Sequence, residues 1–361
     1  MITRWTFCAI FIATGSTAEC QSSSMATAQR VDEVSESAQV SFQAADGQCL
    51  FVPAPSTQKR HPDPSIPLHH FEPFVSESWV VTAASGTKMY HTWKWGPGKW
   101  SVERWTEGEG AGGQPWKELV VYYWDPQTGK IRFLGVSPFA EGIQRGTIEF
   151  AGDSAIANST LIQTSGRREM QTRWLFHKDS SYTETLLEKD SSGKFAELVT
   201  FQHQRISRNN QPPETAAAQE EITEPFKGLK FLLGNAWNGT TDDQRRRFQT
   251  TIKWLPIANC VHATITETTG GAAVEFARVC IYHEPHAATL HCLIICANSE
   301  IYEGSVHELS VDTIQLELRE RNQNKSHSIK SQFEQKPGGR WLQTIRSNGS
   351  AETDWRLHHE R

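Results

Sequence analysis

The chain has 361 residues, of which 37% are hydrophobic, 10% aromatic and 21% charged, and its formal net charge is −5. This length exceeds one average hydrophobic core and suits two domains. A mildly acidic chain has no general attraction for nucleic acid or anionic membranes, and beyond the N-terminus no apolar run approaches the ~20 residues that span a bilayer. We therefore expect no nucleic-acid partner and no membrane insertion of the mature chain.

The first 18 residues have the pattern of an export signal. Arg4 supplies a positive charge, residues 5–13 form a short apolar run, and residues 16–18 (S-T-A) are small, as cleavage requires. The sequence therefore predicts an exported protein, periplasmic or extracellular. Cys20 would serve as a lipoprotein anchor, but Glu19 before it does not match the small residue that lipoprotein processing needs. Lipid anchoring is the minor alternative.

Two stretches of linker-like composition divide the rest of the chain. Residues 19–70 are rich in Ser, Ala, Gln and Pro and show no lasting hydrophobic period, which indicates a flexible leader. Residues 207–225 have a similar composition and are predicted to form a flexible linker. The predicted domains are therefore residues 71–206 and residues 226–361.

Both domains have the pattern of antiparallel β-structure. In the second domain, short runs of apolar and β-branched residues alternate with turn-forming sequences, and a short capping turn is predicted over residues 226–232. Nine or ten short strands with hairpin connections favour an up-and-down barrel or a meandering sandwich. The predicted strands are residues 247–254, 260–267, 274–283, 289–296, 301–307, 313–319, 325–334, 341–346 and 352–359.

The two domains resemble each other in sequence. A shift of 159 positions aligns residues 94–153 with residues 253–312 without a gap. Turn-forming and strand residues both coincide, as an internal duplication predicts. The identical pairs are Lys94/Lys253, Trp95/Trp254, Pro97/Pro256, Val102/Val261, Gly112/Gly271, Val120/Val279, Tyr123/Tyr282, Pro126/Pro285, Leu134/Leu293, Glu141/Glu300, Glu149/Glu308 and Asp153/Asp312.

The start of the second domain carries a family resemblance. Residues 231–239 read F-L-L-G-N-A-W-N-G, ahead of the strand that begins at Arg247. This segment resembles the L-x-G-x-W-x-G start of lipocalin-like (calycin-type) β-barrel domains of uncharacterised bacterial exported proteins. An extra residue separates Gly234 from Trp237, and the first domain keeps only Trp79. The resemblance implies two tandem antiparallel meander β-barrels, each with an interior site for a small apolar ligand and with Trp237 closing one end.

Hairpin geometry assigns the strands of the second domain to two faces. A turn centred on Gly270 would place Cys260 opposite Cys280, and a turn centred on His286 would place Cys280 opposite Cys292. A barrel with a partly polar interior and a sandwich with a solvated face both fit this pattern. The face of mixed polarity would carry Cys260, His262, Thr264, Arg278, Cys280, Tyr282, Cys292 and Ile294. The aliphatic face would carry Val261, Ala263, Ile265, Val279, Ile281, Leu293 and Ile295.

The mixed face supplies the candidate ligand-binding residues. Arg278, Tyr282 and His262 are predicted to orient the polar head of a ligand inside the second barrel. Tyr123 is the equivalent of Tyr282 in the first barrel. The second cavity is expected to be the more polar of the two. An ordinary hydrogen-bonded strand face is the alternative for these residues.

Cysteine and histidine residues offer further candidates. For the set Cys260, Cys280 and Cys292 two alternatives are predicted, one disulfide with a spare buried thiol or three small packed side chains. Because the C-x-x-C spacing of zinc sites is absent, no metal site is predicted. Residues 283–286 (H-E-P-H) lack the H-E-x-x-H spacing and indicate a hairpin turn. His203 and His359 lie near the ends of the last strands, and similarity to haem-binding relatives of lipocalins makes haem an alternative ligand.

The leading functional prediction is a non-enzymatic exported protein that binds a small hydrophobic or amphipathic molecule in a barrel interior, mainly by burying apolar surface. One alternative is an isomerase or hydrolase that acts on such a molecule in the second barrel. A structural envelope protein with filled barrels and a haem-binding barrel are the others. The sequence contains no nucleophile elbow, phosphate-binding loop or dinucleotide fingerprint. No cofactor is predicted.

Overall fold

The computed structural model describes the chain from residue 67, with gaps in several loops. The predicted signal segment, the leader up to residue 66 and most of the predicted linker lie outside the described residues, so these remain predictions. The described residues are 67–75, 77–82, 88–109, 115–137, 142–206, 222, 224–234, 236–241, 246–255, 260–269, 271–310, 312–321, 328–348 and 355–360.

Ten antiparallel strands form a closed barrel in the first half of the chain, which we call barrel 1. Each strand pairs with its neighbours in sequence, and β1 closes the barrel against β10. The strands are β1 (Ser78–Thr82), β2 (Lys88–Trp95), β3 (Ser101–Glu109), β4 (Pro115–Asp125), β5 (Lys130–Ser137), β6 (Gly142–Ala151), β7 (Ser154–Gln163), β8 (Gly166–Phe176), β9 (Tyr182–Lys189) and β10 (Phe195–Ile206).

A second closed barrel, barrel 2, repeats this arrangement, so the predicted all-β fold of two tandem antiparallel barrels is confirmed. The sandwich alternative is wrong, because the first and last strands of each unit are hydrogen-bonded to each other. The strands are β11 (Ala236–Thr241), β12 (Arg247–Leu255), β13 (Cys260–Thr269), β14 (Ala272–Glu284), β15 (Thr289–Cys296), β16 (Ile301–Ser310), β17 (Thr313–Glu320), β18 (Ser328–Lys336), β19 (Arg340–Asn348) and β20 (Trp355–Glu360).

One end of each barrel is closed by the segment that precedes its first strand. In barrel 1 this plug consists of a 3-10 helix (Pro67–Phe71) and one α-helical turn, α1 (Glu72–Val75), and in barrel 2 it is a 3-10 helix (Lys227–Leu232). The indole N–H of Trp79 donates to the carbonyl oxygen of Phe74 at 3.4 Å. Trp237 donates in the same way to Leu232 at 2.9 Å. The tryptophans therefore tie the plugs to the barrels, and Trp237 lies at the end where the resemblance placed it.

Hairpin turns recur at equivalent places in the two barrels. Between β4 and β5, the side chain of Asp125 accepts the N–H of Gln127, and Gly129 has a φ of 63° that favours glycine. Residues 285–288 make the corresponding turn between β14 and β15, where Ala288 has a φ of 51°. The H-E-P-H run therefore enters a four-residue hairpin turn, as predicted.

The barrels pack against each other through the outer faces of β3 to β6 and β13 to β16. We call this contact the inter-barrel interface. Because the inner faces of the same strands fill the barrel interiors, both faces are buried, which explains nearly continuous apolar runs such as residues 119–123 and 293–296. The interface core consists of Leu119, Val121, Tyr123, Leu134, Val136, Ile143, Ile162, Cys260, Cys280, Tyr282, Leu293, Ile295 and Ile301.

Candidate functional site

The four predicted ligand-binding residues lie at the inter-barrel interface. Tyr123 and Tyr282 are buried in its core, and His262 and Arg278 both contact Glu103 of barrel 1. The prediction that these residues face a barrel interior is wrong. The face of mixed polarity is the outer face of barrel 2, and its polar groups His262, Arg278 and Tyr282 contact barrel 1.

Hairpin register explains where the cysteines lie. A bulge between Ile265 and Thr266 places Cys260 opposite Tyr282, and Cys280 opposite His262, without changing the faces of β13 and β14. The four-residue turn then places Cys280 opposite Leu293, one position from the prediction. A one-residue shift inverts every side chain of a strand, so Cys292 points into barrel 2 and not towards the interface.

No disulfide forms within the predicted set of cysteines. The thiols of Cys260, Cys280, Cys292 and Cys296 are all free and buried. Burial raises the pKa of the Cys292 and Cys296 thiols, so both stay protonated at neutral pH. They fill space in the barrel as small apolar side chains do.

Barrel 2 encloses a small apolar cavity of about 50 Å³. Two polar side chains, Thr250 and Gln343, reach the cavity wall, and the amide of Gln343 donates to the hydroxyl of Ser331 at 3.1 Å. The prediction that barrel 2 has the more polar interior is therefore wrong. The wall is formed by Leu229, Leu232, Thr250, Ile252, Val261, Ala263, Ile265, Val279, Ile281, Ile314, Leu316, Phe333, Trp341 and Gln343.

The interior of barrel 1 contains a buried charged network. Arg104 lies 3.2 Å from Glu184 and 3.6 Å from Glu118, measured between guanidinium nitrogen and carboxylate oxygen. Trp174 donates its indole N–H to Glu184 at 3.1 Å. The Nε2 atom of His203 lies 3.0 Å from the same carboxylate. The rest of the interior is filled with aromatic rings, among them Phe71, Phe74, Trp79, Trp93, Tyr122, Trp174 and Tyr182.

The charge state of this network follows from burial and from Arg104. Although burial by itself raises the pKa of Glu184, the positive charge of Arg104 and the contact with His203 hold it well below its ordinary value. Burial raises the pKa of Glu118. It lowers the pKa of His91 and His203, and the charge of Arg104 adds to this effect. Arg104 and Glu184 therefore form a buried ion pair beside two neutral imidazoles.

Strand register identifies the equivalent position of each network residue in barrel 2. Arg104 pairs across the sheet with Val120, and Ala263 pairs with Val279. Because Val120 and Val279 are an identical pair of the repeat, Arg104 and Ala263 occupy equivalent positions. The same comparison, carried from strand to strand around both barrels, gives the other equivalent positions. The equivalent pairs are His91 and Thr250, Arg104 and Ala263, Glu118 and Ala277, Tyr122 and Ile281, Tyr182 and Trp341, Glu184 and Gln343, and His203 and His359. The cavity of barrel 2 thus lies where barrel 1 holds Arg104 and its partners.

The two histidines proposed for haem occupy equivalent, enclosed positions. His203 stacks on Tyr182 with ring centroids 3.9 Å apart, and His359 stacks on Trp341 at 3.4 Å. A Cβ atom on Gly239 would lie 2.7 Å from the His359 ring, so the strand β11 covers this imidazole closely. Both imidazoles are therefore buried and packed against neighbouring groups of their own barrels.

Among the described residues, no group of His, Cys, Asp and Glu side chains could hold a metal ion, and no helix is long and apolar enough to cross a bilayer. Comparison with protein-family models found no matching family, and comparison with curated proteins found no matching relative. The lipocalin-like resemblance is therefore supported by the barrel architecture alone.

Sequence reasoning missed the charged network of barrel 1, although the repeat contains a signal for it. Val102 and Val261 are an identical pair, and both point into their barrels. Alternation along a strand then places Arg104 and Ala263 inside as well. A charged residue at an interior position of one copy and an alanine in the other marks the place where the two interiors differ.

Proposed function

We propose that the protein is an exported, lipocalin-like binding protein, and that barrel 2 holds a small apolar molecule without acting as an enzyme. The observation that carries this proposal is the apolar cavity of barrel 2, formed where barrel 1 keeps Arg104. The predicted export signal and the L-x-G-x-W-x-G-like segment support the first part. Barrel 1, whose interior is filled by its own side chains, is the partner against which barrel 2 packs.

Cavity size restricts the occupant. An engineered cavity of ~150 Å³ in another protein binds benzene, and the cavity of barrel 2 measures about 50 Å³. Small apolar molecules are therefore the first class of ligand to consider, and a ring-sized ligand requires a movement of a wall side chain such as Phe333, which is only partly buried. Affinity would come from burying apolar surface, with Thr250 and Gln343 as the polar groups that fix orientation.

A filled structural barrel is the second candidate function. The interior of barrel 1 supports it, because aromatic rings and the ion pair of Arg104 and Glu184 occupy the space that a ligand would need. The enzyme alternative rested on Arg278 and Tyr282, whose side chains contact barrel 1 residues Glu103 and Arg145 at the interface. No described feature favours catalysis over binding.

Two measurements test the binding proposal. Organic extraction of the denatured protein followed by mass spectrometry should recover a small apolar molecule in a stoichiometric amount. Methyl NMR of the extracted, refolded protein should show saturable shifts of Val279 and Ile281 when xenon or benzene is added. The variant Ala263→Leu, which fills the cavity, should abolish these shifts.

Ala273→Leu is the matched control, because Ala273 lies exposed on the neighbouring strand of the same barrel. It should leave the response of the Val279 and Ile281 methyls unchanged. If no molecule is recovered and neither probe shifts these methyls in the unaltered protein, barrel 2 is a filled structural barrel and the binding proposal fails.

A further inference from the structure

The inter-barrel interface joins equivalent surfaces of the two barrels. Pairing in each sheet matches β3, β4 and β5 with β13, β14 and β15 at a shift of 159 positions. The pairing of β5 with β6 differs by one residue from the pairing of β15 with β16, so that Ile143 corresponds to Ile301 and Arg145 to Glu303. Each barrel therefore presents the same four strands to the other, as the subunits of a two-fold symmetric dimer do.

Both barrels contribute an arginine to the carboxylate at the edge of the other, although the two arginines, Arg145 and Arg321, are not equivalent positions of the repeat. Glu284 of β14 lies 3.3 Å from Arg145 of barrel 1. Its equivalent in β4, Asp125, lies 3.7 Å from Arg321 of barrel 2. Tyr282 is hydrogen-bonded by Arg145. In both directions the carboxylate that ends the fourth strand of one barrel receives an arginine from the other barrel.

Close packing accompanies these contacts. The turn of residues 97–99 before β3 approaches barrel 2, and a Cβ atom on Gly98 would lie 2.3 Å from the carbonyl oxygen of Ala297. Gly98 also has a φ of 59°, so this contact requires glycine for two reasons. The apolar interface core is almost fully buried. The two barrels therefore meet as a well-packed interface.

Two pairs of equivalent positions face each other directly, and in both pairs the residues differ. Glu103 corresponds to His262, and their Oε1 and Nε2 atoms are 3.0 Å apart. Arg145 corresponds to Glu303, and the nearest charged atoms are 3.8 Å apart. Two copies of barrel 1 would instead bring Glu against Glu and Arg against Arg at these places, and two copies of barrel 2 would bring His against His and Glu against Glu. Like charges buried together cost several kcal/mol at an interface.

We propose that the outer face of each barrel is a recognition surface specific for the other barrel, and that the pairs Glu103/His262 and Arg145/Glu303 exclude pairing of either barrel with a copy of itself. Glu103 carries the strongest part of this selection, because it is almost fully buried and also binds Arg278 at 2.5 Å. Specificity then comes from the repulsion built into the wrong pairs as well as from attraction in the right one. This inference does not depend on ligand binding.

The test uses the full chain with a protease site inserted in residues 207–225, cut after folding. Native mass spectrometry should find the cut halves as unlike pairs only. His262→Glu, which places Glu opposite Glu103, should weaken the association by about 100-fold or more. His262→Gln keeps an N–H donor and should stay within about 10-fold of the original. The double variant Glu103→His with His262→Glu should recover most of the lost affinity.

Glu303→Arg, with Glu303→Gln as its control, repeats the test at the second pair in case His262→Glu does not fold, as judged by near-ultraviolet circular dichroism. Like pairs of either half in the unaltered protein would overturn the proposal. So would equal loss of affinity in His262→Glu and His262→Gln, since packing and not charge would then decide the pairing.

Discussion

The interiors of the two barrels differ far more than their backbones do. Both have ten strands in the same order, a plug at one end, a tryptophan tied to that plug and a buried histidine on the last strand. Barrel 1 nevertheless encloses an arginine, two glutamates and many aromatic rings, whereas barrel 2 encloses mainly apolar side chains, both aliphatic and aromatic, and a cavity of about 50 Å³. The same fold therefore tolerates two unrelated ways of filling its interior.

This difference distinguishes the interior residues that barrel closure requires from those that form a site. A buried ion pair such as Arg104 with Glu184 is weak evidence for stability, because desolvation of both charges offsets their attraction. Barrel 2 closes equally well with Ala263 and Gln343 at the same positions. The network of barrel 1 is thus dispensable for closure of the barrel, and the cavity of barrel 2 is what remains when the large side chains are replaced by small ones.

Among substitutions that test this comparison, the largest loss of stability is expected at Arg104. Arg104→Met should destabilise barrel 1 by about 3–5 kcal/mol, because it leaves Glu184 as an uncompensated buried charge. The free energy of unfolding, measured in urea by tryptophan fluorescence, would report this loss.

A compensated variant tests the cause. Arg104→Met combined with Glu118→Gln and Glu184→Gln removes the charges together, as in barrel 2, and should be more stable than Arg104→Met alone. If the triple variant is the less stable one, the network has a role that barrel 2 does not reveal.

The two equivalent histidines should respond differently to acid. Burial lowers the pKa of His359 to about 3. In the unfolded chain His359 binds a proton from about pH 6.5 downwards, whereas the folded chain does not bind it until about pH 3, so stability falls as the pH falls through this window. Between pH 7 and pH 5 the loss from His359 should be about 2 kcal/mol.

His359→Phe keeps a ring against Trp341 and removes the titrating group, so its free energy of unfolding should depend less on pH over this range. His358→Gln, on the exposed side of the same strand, is the control and should keep the original dependence. An unchanged pH dependence in His359→Phe would show that His359 is not the source. His203 is a weaker acid sensor, because Glu184 at 3.0 Å opposes the effect of burial on its pKa.

The smallest effect should come from the plug tryptophans. Trp237→Phe loses a hydrogen bond of 2.9 Å to Leu232, whereas Trp79→Phe loses a longer one of 3.4 Å to Phe74. Trp237→Phe should therefore cost up to about 1 kcal/mol more than Trp79→Phe, within the usual net value of a hydrogen bond. Melting temperatures of the two variants would provide the comparison, and a greater loss in Trp79→Phe would contradict it.

Much of the fold could be predicted from local patterns. Strand β15 (Thr289–Cys296) agrees with its prediction at both ends, and the other predicted strands of barrel 2 agree in number and order. Strand β11 was missed, because the sequence Ala236–Thr241 follows the capping turn directly and contains a glycine and an asparagine that weaken its β-pattern. The candidate site was predicted less well, since it depended on which face of β13 and β14 is interior, and hairpin register misplaced only the residues of β15 such as Cys292.

The sequence by itself determined the duplication, the antiparallel all-β fold and the alternation of two faces along each strand, because these depend on residues close together in the chain. Only the tertiary structure decided which face is interior. In β13 and β14 both faces are buried, one inside barrel 2 and one against barrel 1, so polarity did not distinguish them. A bulge and a four-residue turn then set the register, and the packing of one barrel on the other placed Arg278, Tyr282 and His262 at an interface.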